Sequence, residues 1–186
     1  APRPDAARHY EAPLMAKRPA KAQFTPKNPN KYTGKLPIIF RSSWEFSVMK
    51  MFDEHPYVLE WKSESLQIPY RNPLTGRWTV YIPDFQVAYA DGSGNGKIHV
   101  ELMEVKPKKE SAMLDPRTGL WTPVTPVSKK TGKPLKVSQQ TRLTQIVNAA
   151  KWQAAVAYCA KMSSMTGHRW FFRVVTEETL YNYGDK

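Results

Sequence analysis

From residue 42 onward, apolar residues recur at spacings that divide the chain into helices and strands. Phe46, Met49 and Phe52 follow Ser42-Ser43-Trp44-Glu45 at helical intervals, and Ser42-x-x-Glu45 has the spacing of a capping box. His55-Pro56 stops that helix. Leu66, Ile68 and Tyr70 alternate, which predicts a strand ending at a turn through Asn72-Pro73 and Thr75-Gly76. The next strand is expected from about Arg77 to Ala88, with Trp78, Val80, Ile82, Asp84 and Gln86 on one face. Asp91-Gly92-Ser93-Gly94-Asn95-Gly96 is a strong turn signal, and a third strand follows from about Lys97 to Lys106, ended by Pro107.

A long helical pattern then runs from Ser138 to about Met165 and closes at Gly167. Trp170-Phe171-Phe172-Arg173-Val174-Val175 reads as a last strand, and Thr176-Glu177-Glu178 as the start of a short helix. The order α, β, β, β, α, β, α makes this an α/β chain, and no internal repeat interrupts it.

Two stretches depart from this patterning. Residues 1–36 carry eight lysines and arginines against Asp5 and Glu11, with six prolines and almost no periodic apolar residues. Such a segment cannot bury enough surface to offset its ordering entropy, so an extended basic arm is expected, reaching up to about 120 Å, with a protein partner to hold it. Residues 107–137 form a basic insertion holding Lys108, Lys109, Arg117, Lys129, Lys130, Lys133 and Lys136. Asp115-Pro116-Arg117-Thr118-Gly119 and Lys130-Thr131-Gly132-Lys133 look like turns within it, and a loop of this length is usually functional or mobile. The remainder, 37–186, suits one domain.

Charge sharpens the picture. The 186 residues carry a formal net charge of +12, which calls for a polyanionic partner. A phosphate backbone is the commonest such partner, with binding that weakens steeply in salt. An anionic membrane is the competing reading, but no apolar run approaches the length of a span and no signal-peptide pattern is visible, so no membrane association is expected. Cys159 is the only cysteine. It excludes an internal disulfide and a cysteine zinc cluster, and its helical neighbours make it a small core residue.

The candidate chemistry lies on either side of the glycine-rich turn. Ile82-Pro83-Asp84-Phe85 and Glu104-Val105-Lys106, read as ends of adjacent strands, put two carboxylates and a lysine side by side. Glu104 and Lys106 share a face with Ile98, Val100 and Leu102, so both charged clusters are expected at the ends of apolar faces. Two carboxylates with a backbone carbonyl can hold Mg²⁺ or Mn²⁺, and Lys106 could orient or deprotonate a water or stabilise phosphoryl oxygens. The same residues could instead form a solvated cross-strand ion pair. Glu45 is either a third acid or simply the capping glutamate. Glu101 falls on the opposite face and is expected to be a surface charge. His99 and His55 lack metal-ligand spacing, and no phosphate-cradling glycine loop is present.

Arg41-Ser42-Ser43-Trp44-Glu45, Ile82-Pro83-Asp84-Phe85, Glu104-Val105-Lys106-Pro107-Lys108 and Asn148-Ala149-Ala150-Lys151-Trp152-Gln153-Ala154-Ala155 occur in that order. Together, over roughly residues 37–182, they resemble the head completion proteins of large contractile-tailed phages, members of the PD-(D/E)xK nuclease superfamily that are similar to TnsA-like transposon endonucleases. The resemblance implies a restriction-endonuclease-like αβββαβ core, with the basic arm and the insertion outside it. It implies metal ligation by Asp84 and Glu104, Lys106 as the catalytic lysine, and Glu45 as a helix-borne acid and further ligand. Arg41, Lys108, Lys109 and Lys151 become candidates for contacting double-stranded DNA. Lys151 faces either the site or open solvent, and Gln153 departs from the acidic residue expected at its place.

The functional expectation that follows is a head completion protein that binds the filled head and trims or processes the packaged DNA end. Its setting would be the virion's head–tail neck, with the host cytoplasm during assembly. The arm would engage portal or connector proteins, in several copies around a ring. Two alternatives stay open: a TnsA-like or repair endonuclease acting free in the cell, and a structural neck protein with an inactive nuclease fold.

Overall fold

A computed structural model describes residues 22–182 of the chain, with side chains to residue 180. The strands are β1 (Ala22–Phe24), β2 (Ile38–Phe40), β3 (Val58–Ser63), β4 (Ile68–Arg71), β5 (Trp78–Tyr81), β6 (Phe85–Ala90), β7 (Ile98–Val105), β8 (Ala112–Leu114), β9 (Trp121–Pro123) and β10 (Arg169–Val175). The helices are α1 (Ser43–Glu54), α2 (Gln139–Thr166) and α3 (Glu177–Asn182). Local chemistry sets the helix ends. The Ser42 hydroxyl accepts the Glu45 amide at 3.1 Å, and the Ser138 hydroxyl accepts the Thr141 amide at 3.1 Å. Gly167 closes α2 in the left-handed conformation at φ 72°, where a side chain would be strained.

The architecture is mixed α/β. A four-stranded sheet in the order β10-β7-β6-β3 has β10 parallel to β7 and the other pairs antiparallel. β7 lies inside this sheet and is buried from Val100 to Val105, so alternation sends neighbouring residues to different cores. Met103 and Val105 join Val48, Met49 and Phe52 of α1, while Leu102 joins Trp152, Ala155 and Cys159 of α2. The sheet is thus sandwiched between the two helices.

Several expectations are corrected. The strand expected over 77–88 is two strands separated by Ile82-Pro83-Asp84. β5 pairs with β4 in a separate hairpin, and only β6 enters the main sheet. Trp78, Val80 and Ile82 point to solvent, and Tyr81, Phe85 and Val87 are the inward residues, so the Asp84 face is not an apolar face. The main sheet instead recruits β3. A register shift between Val58 and Glu60 breaks the alternation there and puts Val58 and Trp61 inward, which hides the strand from a period-two reading. On α1, Phe46 is half-exposed and Val48 takes the buried place.

The boundary at residue 36 also moves. Residues 22–36 pack on the domain: β1 pairs with β2, and Phe24 is buried edge-on to Trp61. Asp53, fully buried in α1, accepts the Lys27 and Asn28 amides at 2.7 and 3.0 Å, and Asn28 Nδ2 donates to the Asp53 carbonyl at 2.9 Å. These bonds supply the order that composition alone does not. The arm over residues 1–21 lies outside the described residues.

The 107–137 segment is built onto the domain. β8 and β9 form a hairpin around the 115–119 turn, and Val127 bridges Pro134 around the 130–133 turn. Trp121 meets Trp152 of α2 in a T-shaped contact at 5.3 Å. Gln145, buried in α2, donates to the carbonyls of Lys109 and Val124 at 2.8 and 2.9 Å, and Asn148 donates to that of Glu110 at 2.9 Å. No described helix is long and apolar enough to cross a membrane.

Candidate active site

The β6–β7 hairpin turns on the glycine-rich 91–96 loop and pairs Phe85 with Met103. That register brings Asp84, the residue before β6, to the end of β7. Asp84 Oδ2 accepts the Val105 amide at 2.7 Å. Glu104, only 4% exposed, accepts the Tyr81 hydroxyl on Oε2 at 2.8 Å, and its Oε1 lies 3.4 Å from Lys106 Nζ. The Lys106 amide donates to the Val175 carbonyl at 2.9 Å, extending the β7–β10 ladder so that the lysine leaves from a fixed backbone. From α2, Lys151 places Nζ 5.9 Å from the centre of the Tyr81 ring. The site is therefore supported by the main sheet, the β4–β5 hairpin and α2.

Burial and mutual charge define its electrostatics. Burial raises the Asp84 pKa well above its ordinary value, and the Glu104 and Glu45 charges add to this, while the Val105 amide and Lys106 oppose it. Burial likewise raises Glu104, against Lys106, the Tyr81 hydroxyl and Lys151. Burial pulls Lys106 down, but the Glu104 and Asp84 carboxylates outweigh it and leave the ammonium form favoured. For Lys151, burial prevails and the pKa falls, helped by the nearby Lys106 charge. Burial and the Glu104 charge push Tyr81 far upward, so its phenol remains a donor.

Two anionic side chains forced together in a partly dry site fit a hard divalent cation, whose charge relieves both the desolvation and the mutual repulsion. Asp84 and Glu104 are the residues that would hold it. Their all-oxygen donor set suits Mg²⁺ or Mn²⁺ and not a thiolate-seeking metal. Among the described residues, no three His, Cys, Asp or Glu side chains come together as a metal cluster.

Glu45 does not complete a carboxylate triad in this structure. Its amide is capped by Ser42, and its Oε2 accepts the Arg41 amide at 2.9 Å, while its charge still reaches Asp84. Arg41 makes a paired contact to Glu64, at 2.5 and 3.3 Å. Glu64 in turn donates its amide to the Asp84 carbonyl at 3.0 Å from a left-handed backbone at φ 45°. Lys151 faces the site, since Glu104, Lys106 and Asp84 all act on its charge. Lys108 pairs with Glu178 at 2.7 Å, and its amide donates to Glu177 at 2.9 Å. Lys109 reaches the fold through its carbonyl, bonded to Gln145.

Glu101 is not a surface charge. It is buried on the sheet face opposite Glu104, 2.9 Å from Arg173 Nε, in a cavity of about 240 Å³ that Met51 and Phe52 also line. Cys159 is buried and its pKa is pushed up to about 12, consistent with a core residue and not a nucleophile. Gln153 carries a buried Oε1 without a hydrogen-bond partner among the described residues. Tyr81 was not singled out by sequence reasoning. Its only sequence signal is parity, because it lies on the opposite strand face from the Trp78-Val80-Ile82 stripe.

The TnsA-like endonuclease N-terminal family matches residues 55–177, and the chain belongs to that family. Asp84, Glu104, Lys106 and Lys151 fall inside the matched segment, and Arg41 and Glu45 precede it. More particularly, the chain is 30% identical over 165 residues to the Head completion nuclease of Enterobacteria phage T4, covering 88% of this chain and 95% of that protein. No solved structure matches.

Proposed function

We propose that this protein is a phage head completion nuclease that hydrolyses DNA phosphodiester bonds at the Asp84–Glu104 site. The observation that carries the reading is the placing of half-buried Asp84, bonded to the Val105 amide at 2.7 Å, beside buried Glu104 at the end of β7, with Lys106 3.4 Å from Glu104. The core is then of the restriction-endonuclease type, with β6 and β7 presenting the acidic residues and α1 and α2 covering the two faces.

When bound by Asp84 and Glu104, Mg²⁺ or Mn²⁺ would activate water and offset charge on the phosphate. The protein's own residues do the rest. Tyr81 and the Val105 amide fix the two carboxylates in orientation. Lys106, held as an ammonium by its carboxylate neighbours, donates to phosphoryl oxygens as negative charge builds on them. Lys151, whose pKa is lowered, is better suited than Lys106 to accept a proton. Arg41, Lys108 and Lys109 approach the flanking backbone phosphates, the first two after exchanging their present glutamate partners for DNA. Glu45 modulates Asp84 through its charge.

The substrate is double-stranded DNA at the packaged end, and the setting is the neck of the virion after assembly in the host cytoplasm. Several copies would stand around the connector ring. Since residues 22–36 pack on their own domain, the connector contact is assigned to residues 1–21. The test is genetic. Particles carrying Asp84→Ala should incorporate the protein normally and fail to infect. Normal infectivity of those particles would show that the virion needs the protein without its cleavage chemistry.

A further inference from the structure

The β4–β5 hairpin has one face that the fold leaves uncovered. Side chains alternate along β5, so Tyr81 turns inward to Glu104 while Trp78, Val80 and Ile82 turn outward. Their exposures are 73, 48 and 42%. An exposed apolar stripe of this kind, on a rigid element, marks a place where something binds. The stripe is rigidly presented. Ile68, Tyr70 and Tyr81 anchor the hairpin in the core with Leu102 and Trp152, and Arg71 Nε closes the turn on the Gly76 carbonyl at 2.9 Å.

Charge identifies the occupant. No aspartate or glutamate occurs between Glu64 and Asp84, whereas Arg71 and Arg77 are both exposed there, and Arg71 stands directly opposite Trp78 in the strand register. The hairpin is therefore acid-free, cationic and aromatic, the composition that holds unpaired nucleic acid by stacking and phosphate contact. The stripe ends at Ile82, two residues before Asp84, and the same strand's Tyr81 is bonded to Glu104. Ile82 is joined to Asp84 through Pro83 alone, so a DNA strand that follows the stripe past Ile82 arrives at the edge of the carboxylate site.

We propose that the outward face of the β4–β5 hairpin is the platform that presents a DNA strand to the carboxylate site. Trp78 stacks on an unpaired base, and Arg71 and Arg77 engage the backbone. The proposal rests on the nuclease reading of the site and adds the strand geometry: the enzyme takes DNA that is unpaired on one side of the cut.

The test reads binding alone, in the full chain carrying Asp84→Asn so that nothing is cut. The probes are a fluorescein-labelled duplex with a short single-stranded overhang and the same duplex with a blunt end, followed by anisotropy. Adding Trp78→Ala should weaken binding to the overhang duplex by about 5- to 150-fold and affect the blunt duplex less. Trp78→Phe should retain most of the affinity, which a merely disrupted hairpin would not. Unchanged affinity of Trp78→Ala for the overhang duplex overturns the platform. So does retained DNA affinity with lost attachment to assembled heads, which would make the stripe a protein interface. Absence of cleavage by the wild type in Mg²⁺ or Mn²⁺ would sink the nuclease reading and leave this binding result standing.

Discussion

The Tyr81 hydroxyl donates to Glu104 Oε2 at 2.8 Å, so a hairpin outside the main sheet fixes a carboxylate inside it. The bond also lowers the Glu104 pKa against the rise that burial causes. Tyr81→Phe removes the donor and leaves a buried acceptor unpartnered, at a cost of about 1–3 kcal/mol of stability. In carboxyl NMR titrations of metal-free protein, Glu104 should then titrate at higher pH than in the wild type. An unchanged titration would mean that the phenol does not orient this carboxylate.

Glu45 acts on Asp84 in the opposite sense, because its charge raises the Asp84 pKa. Glutamine keeps the capping geometry at this helix position and loses the charge. Glu45→Gln should therefore retain wild-type stability within a few tenths of a kcal/mol and move the Asp84 titration to lower pH. A large loss of stability would show that the charge, and not the cap, holds the start of α1.

Asp53 joins residues 27–28 to α1 through two amide donors on one buried carboxylate. Hydrogen bonds to charged groups contribute about 1.5–3 kcal/mol each. Asp53→Ala should destabilise the domain by about 3 kcal/mol and open Lys27 and Lys31 to trypsin, both of which stay resistant in the wild type. Equal digestion of the two proteins would detach residues 22–36 from the domain.

Glu101 links stability to pH. Burial raises its pKa from 4.5 to about 7, with Arg173 opposing. The folded state therefore holds this proton over a range where the unfolded chain has released it. The stabilisation is complete below about pH 4.5 and is lost as pH rises through about 7, amounting to about 3 kcal/mol over that window. Glu101→Gln lacks the effect. Urea denaturation of both proteins at pH 4.5 and pH 8 should show the wild type losing about that much more stability than the variant. Parallel losses would assign the pH dependence elsewhere.

The sequence made the helix caps, the glycine-rich hairpin and the Asp84, Glu104 and Lys106 constellation legible, because each depends on residues close together in the chain. Ser42 and Ser138 cap the helices they were expected to start, and Gly167 ends α2. Features that depend on long-range packing were not legible. β3 hides behind a bulge between Val58 and Glu60. Pro83 divides a stretch whose alternation continues unbroken in the sequence, so Trp78, Val80 and Ile82 read as one strand face with Asp84. Glu101 looked like a surface charge because parity says which face it takes and not that the face is covered by α1. Residues 22–36 carry no periodicity because their order comes from Asp53, more than twenty residues away.

If Asp84 and Glu104 hold a divalent cation for phosphodiester hydrolysis, purified protein should cut linear duplex DNA bearing a single-stranded overhang in a cation-dependent way. Reactions with and without Mg²⁺ or Mn²⁺ would compare the wild type with Asp84→Asn and Glu104→Gln. The expected result is cleavage by the wild type only when the cation is present, no cleavage by either variant, and melting temperatures showing that both variants are folded. Cleavage by folded Asp84→Asn or Glu104→Gln at the wild-type rate, or wild-type cleavage undiminished by EDTA, would contradict it.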